Sequence, residues 1–201
     1  MAKQFPKLED SHQRFIEDQH MFFVGTADVE GRVNISPKGM DSLRVLGPGR
    51  IAWMNLTGSG NETAGHLLKI NRMTLMWCSF TTRPLILRAY GSARTLHTGD
   101  PDWAAMADLF PDRRSARQIF DLSIDLVQTS CGYAVPLMQY QSERDTMQKW
   151  VDGKSDADFR TYWADKNGQT IDGKPTRSPV QLDDAGPLSE PNQNQRRSQP
   201  G

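Results

Sequence analysis

MFFVGTADVEGRVNISPKG (residues 21–39) decides the fold class. A compact apolar run from Met21 to Ala27 meets a turn at Asp28-Val29-Glu30-Gly31, after which Val33 and Ile35 alternate with Asn34 and Ser36. Period-two alternation across a Gly-containing turn is a β-hairpin pattern. The chain repeats it at once. LRVLG (43–47), a Gly-Pro-Gly turn and RIAWMNL (50–56) predict a second hairpin, so the first third of the protein is an antiparallel meander.

Working outward, TGSGNETAGHLLKI (57–70) interrupts the strands: a Gly/Ser loop leads to Asn61, a good N-cap, and a short helix carrying Leu67, Leu68 and Ile70. TLMWCSF (74–80) and LILRAYGSARTLH (85–97) resume strand texture, with Gly91 as a bulge or corner in the longer one. DLSIDLVQTSCG (121–132) alternates like a last strand. Helices are expected over 8–20, 103–110, the segment after Arg113, 142–153 with Ser142 as N-cap, and 156–167. The reading is a mainly β, α+β fold: an antiparallel split β-barrel with flanking helices. Residues 1–177 form one domain, and the polar stretch 178–201 is expected to be a disordered tail.

Bulk properties narrow the function. Lys plus Arg balance Asp plus Glu, 24 against 24, which gives no basic field for nucleic acid. No apolar run approaches the ~20 residues of a membrane span, and the N-terminus lacks the apolar core of a secretory signal. Cys78 and Cys131 are far apart and read as reduced, buried thiols. The expected place is the cytoplasm.

Taken in order, GRVNISPKG (31–39), RIAWMNL (50–56), GNETAGHLLKINRMTLMWCSF (60–80) and LILRAYGSAR (85–94) resemble the FMN-binding core of pyridoxamine 5′-phosphate oxidase-like proteins. SCGYAVP (130–136), ERDTMQKW (143–150) and KNGQTIDGKP (166–175) resemble a branch of that family known only as flavin-nucleotide-binding. The resemblance implies a homodimer with FMN at the subunit interface. It places Val33, Asn34, Ile35 and Ser36 under the flavin ring, Lys38 near the phosphate, and Met54 and Asn55 against ring and ribityl chain. Asn61, Glu62 and Thr63 fall on the phosphate-binding positions, and Arg88, a cation in mid-strand, joins the candidate cofactor contacts. The physics of the loop agrees, because free N–H groups at a helix start favour an anion and Gly58 and Gly60 let the backbone approach closely.

The departures are informative. The oxidase has an Arg-Lys pair at this loop where the present chain has Asn61-Glu62 or Glu62-Thr63, leaving Arg44, Arg72 or Arg88 as replacement cations. The Arg/His signature for pyridoxal phosphate is missing, so true pyridoxamine 5′-phosphate oxidase activity is not expected. No nucleophile–base constellation or metal-ligand cluster is seen. His66 reads as a packed or surface histidine, and Trp53, Trp77 and Trp103 as core or interface aromatics. Hydride chemistry on a flavin needs no protein nucleophile. Two readings follow: an FMN-dependent oxidoreductase serving a small-molecule substrate or a nicotinamide electron donor, or a non-catalytic flavin module, either carrier or sensor. A relative loaded with haem or a deazaflavin is a third.

Overall fold

Both hairpins form. In the computed structural model, which describes residues 2–111 and 114–178, β2 (Phe22–Thr26) pairs antiparallel with β3 (Asn34–Lys38), Val24 opposite Ser36. β4 (Leu43–Gly47) pairs with β5 (Arg50–Leu56), Leu43 opposite Trp53. The expected tail, from residue 179 on, lies outside the described residues.

Next come α2 (Glu62–Leu67), β6 (Met73–Cys78), β7 (Ile86–Leu96), α3 (Trp103–Ala107) and β8 (Ala116–Ser130), then α4 (Thr146–Asp152) and α5 (Asp156–Asn167). Before them stand a three-residue strand, β1 (Lys3–Phe5), which the sequence did not announce, and α1 (Asp10–Glu17). The sheet runs β3-β2-β6-β7-β8-β5-β4, with β1 joined to β8.

This sheet is curled, and one ring contact demonstrates it. In a flat sheet β2 and β5, four strand steps apart, would lie about 19 Å from each other. Instead the rings of Phe22 and Trp53 have centroids 6.2 Å apart. Phe22, Val24, Leu75, Trp77, Leu87, Phe120 and Trp53 all enter one core, which α1 caps with Phe15 and Ile16. The fold is an antiparallel split β-barrel with flanking helices. No helix among the described residues is long and apolar enough to cross a membrane.

Three elements differ from expectation. The segment after Arg113 is not helical: from Ala116 it is β8, which pairs with both β5 and β7. Its alternation is hidden because both faces are covered. Phe120 and Leu122 enter the main core, while Ile119 joins Met54, Leu96, Met106 and Phe110 in a second cluster outside the barrel. Helix α4 starts at Thr146 with Asp145 at its cap rather than at Ser142, since only Met147, Trp150 and Val151 give it anything to pack. Cys78 is half-buried and Cys131 is exposed, the latter lying just past the end of β8.

Trp53 and Trp77, read as core or interface aromatics, are consumed inside the single chain together with the apolar residues of β7. Trp53, Trp77, Leu87 and Ala89 are each 1% exposed or less, and Leu85 packs against the same core. A curled sheet closes on its own apolar face. What stays outside includes Val33 and Ile35, at the head of the edge strand β3, and Tyr133, Leu137 and Met138 beyond β8.

Candidate functional site

A cleft of about 690 Å³ opens beside β3. One wall is β3 and the turn after it. The other is the end of β5, the 57–60 loop and the start of α2. Met147 of α4 and Ile171, in the strap that follows α5, line it from the C-terminal side.

Strand alternation arranges the first wall. Asn34, Ser36 and Lys38 point inward and are half-buried, whereas Ile35 and Pro37 face out. Lys38 lies with Nζ 5.4 Å from the Trp53 ring centroid. Burial, then the charge of Arg117, pushes its amine down to about 8 from 10.5.

Arg117 was not anticipated. It sits on β8 beside Asn55 of β5, only 2% exposed, and lines the cleft. Nη1 donates to the Gly60 carbonyl at 2.9 Å and to Asn167 Oδ1 at 2.8 Å. Nη2 donates to the Leu56 carbonyl at 3.0 Å and Asn55 Oδ1 at 3.3 Å. Every one of these acceptors is neutral. Burial lowers the guanidinium to about 10. Among the described residues no carboxylate offsets either cation.

Amides complete the floor. Asn55 Nδ2 donates to Gln118 Oε1 at 2.9 Å and Asn61 Oδ1 at 3.2 Å, and Asn34 Nδ2 reaches Thr63 Oγ1 at 3.5 Å. Asn61 stands at the cap position of α2 but does not cap with its side chain, which Asn55 engages instead. Asn61 Nδ2, Arg117 Nε and Gln118 Nε2 are buried without a partner among the described residues. Glu62 turns its carboxylate to the Ile171 N–H, at 3.1 and 3.2 Å. His66 is packed, with Nδ1 3.1 Å from Thr26 Oγ1.

The C-terminal segment is tied down beside this cleft. Lys174 pairs with Asp28 at 2.7 Å, Arg32 with Asp172, and Trp163 Nε1 donates to Thr57 Oγ1 at 2.8 Å. Gly65 lets the strap lie on α2, since a Cβ there would collide with the Thr170 methyl.

Of the residues expected at the site, Val33, Asn34, Ile35, Ser36, Lys38, Met54, Asn55, Asn61, Glu62 and Thr63 share the cleft. Arg88 is not among its lining residues; its Nη1 donates to Ser130 Oγ at 3.2 Å. Arg44, a replacement candidate, is held by Asp41 at 2.6 Å, and neither it nor Arg72 lines the cleft. The cation that is present, Arg117, fell in the segment read as helical. Read as strand, a lone arginine beside Ile119 and Phe120 would have drawn the same attention as Arg88.

Known proteins share this fold. A HupZ variant from Group A Streptococcus superposes with a TM-score of 0.50 at 18% identity, covering 61% of this chain and 98% of that one. A FAD binding protein from Mycobacterium smegmatis gives 0.45 at 13% identity, covering 63% of this chain and 97% of that one. The pyridoxamine 5′-phosphate oxidase family protein ustO of Aspergillus flavus is 35% identical over 147 residues, 71% of this chain. This chain spans 59% of that relative's length. The family model described as pyridoxamine 5′-phosphate oxidase matches residues 8–131, which takes in β2 to β8 and stops short of α4, α5 and the strap. With that match across more than half its length, the chain belongs to the pyridoxamine 5′-phosphate oxidase family.

Proposed function

We propose that the chain is an FMN-dependent oxidoreductase that holds the cofactor phosphate between Lys38 and Arg117 and serves a small organic substrate or a nicotinamide donor. The observation that carries this reading is a pair of cations lining the cleft, buried Arg117 and half-buried Lys38, with no carboxylate partner among the described residues. Burying one uncompensated charge is costly, and a second like charge nearby raises the cost. A phosphate dianion relieves both.

The residues fit the group. Asn61 Nδ2 and Arg117 Nε are buried donors awaiting acceptors, and the cleft has the size usual for small-molecule sites. Met40, Met54 and Met147 give an apolar surface for a flat ring. Bound FMN supplies reversible hydride chemistry at its ring, and no protein nucleophile is required. The chain's own residues bind, orient and exclude water: Lys38 and Arg117 fix the charged end, and Met147 and Ile171 shelter the other side. Since Asn167 and the 57–60 loop enclose Arg117, FAD, with a second phosphate and adenosine beyond that end, binds more weakly. The working unit in this reading is a cytoplasmic homodimer. Support for it comes from β3, an edge strand headed by exposed Val33 and Ile35.

The test is titration of flavin-free protein with riboflavin, FMN and FAD. A charge-assisted contact contributes about 1.5–3 kcal/mol, so FMN should bind roughly tenfold to a hundredfold tighter than riboflavin. Equal affinities, or no flavin binding, end the proposal. Anaerobic loss of flavin absorbance on adding NADH or NADPH is the result expected of an oxidoreductase. A flavin that stays oxidised with every donor overturns that half.

A further inference from the structure

Arg117 is held by amide oxygens, which accept from the guanidinium and add no charge. Asn167, at the last turn of α5, is fully buried. Its Oδ1 accepts from Arg117 Nη1 at 2.8 Å and its Nδ2 donates to the Gly58 carbonyl at 3.0 Å. These two bonds fix the amide's orientation, with oxygen toward the guanidinium and nitrogen toward the carbonyl. At 2.8 Å an aspartate would make a charge-assisted bond and neutralise the arginine. Asparagine supplies the hydrogen bond and no charge. Asn55 does the same from the opposite side through Nη2. Glu62, a carboxylate on the cleft wall, is turned to the Ile171 N–H.

We propose that Asn167 is a specificity-determining residue: it positions the Arg117 guanidinium and, by being neutral, reserves its charge for the phosphate of the ligand. The preference for phosphorylated over unphosphorylated flavin is then set from α5, outside the segment that the family model matches. This rests on the FMN reading above and adds a residue to it whose oxygen serves Arg117 and whose nitrogen holds the 57–60 loop at Gly58. A carboxylate at 167 would pair with Arg117 in the ligand-free protein and leave the incoming phosphate facing a charge already spent.

The experiment compares full-length wild type, Asn167→Asp, Asn167→Ser and Asn55→Asp. Each is titrated with riboflavin and with FMN, and FMN binding is challenged with inorganic phosphate. Wild type should prefer FMN by about tenfold or more and lose FMN to phosphate. Asn167→Asp should bring the FMN-to-riboflavin ratio close to one and abolish competition by phosphate. Asn167→Ser, which gives up both side-chain bonds without adding charge, should keep most of the preference. Asn55→Asp places a carboxylate on the other guanidinium nitrogen and carries the same prediction if Asn167→Asp fails to fold. A wild-type ratio in the aspartate variants overturns the inference, as does an equal loss in Asn167→Ser, which would make the residue a loop clamp only. If wild type itself shows no preference for FMN, the flavin reading falls and takes this inference with it.

Discussion

Lys38 has an amine lowered by folding, and the sign of the consequence is fixed by that direction. Its pKa is about 8 folded against 10.5 unfolded. Below pH 8 both states are protonated and the folded state bears the full penalty, on the order of 3 kcal/mol at most. Between pH 8 and 10.5 the unfolded chain binds more protons, so stability rises with pH until the penalty is gone. Replacing Lys38 with Met should raise the thermal midpoint of flavin-free protein at pH 7. The difference from wild type should shrink as pH climbs through that window. The same variant should bind FMN roughly tenfold to a hundredfold more weakly while leaving riboflavin almost untouched. Midpoints measured from pH 6 to 11 check the first part. A difference independent of pH would show that Lys38 reaches solvent freely.

β7 and β8 form the spine of the barrel, and Gly91 is where they must come closest. The register shifts between Tyr90 and Gly91, and a Cβ on Gly91 would strike the Ser123 carbonyl. Because that neighbour is backbone, it cannot rotate away. Gly91→Ala should therefore lower the urea midpoint by the equivalent of about 1–3 kcal/mol with the slope unchanged. A neutral result would mean that the two strands can part at the bulge. The short hairpins β2–β3 and β4–β5 were legible because each has a local, Gly-containing turn between two strand-like runs. Only the second half of β8 was legible, from its alternation after Asp121; from Arg117 to Phe120 both faces are covered by residues from distant parts of the chain and the alternation is erased.

Assembly is a property of the whole molecule. Trp53, Trp77 and the apolar face of β7 are internal, so they offer no surface to a partner. The edge strand β3 remains, with Val33 and Ile35 each 69% exposed next to the cleft. Pairing two such edges buries apolar side chains and unpaired backbone together. Ile35→Asp should shift sedimentation from dimer to monomer and lower FMN affinity, with the far-UV spectrum unchanged. A wild-type protein that sediments as a monomer at every concentration would refute the homodimer.

Local chemistry determined a good deal. Alternation, turns and the Gly-rich loop were enough for the hairpins and for the position of α2, since these arise from neighbours in sequence, while the family resemblance supplied ten of the cleft residues. They did not determine which cation faces the loop. Arg117 meets Gly60 and Asn167, and its charge reaches Lys38, only because the sheet curls and β8 runs beside β5, and α5 reaches it only because the strap folds back onto α2. Nor could composition say that Trp53 and Trp77 lie inside one chain, for the closing of an apolar sheet on itself is decided by strand order. Sequence spacing carries contacts made along the chain. The charge balance of a buried site is set by contacts made across it.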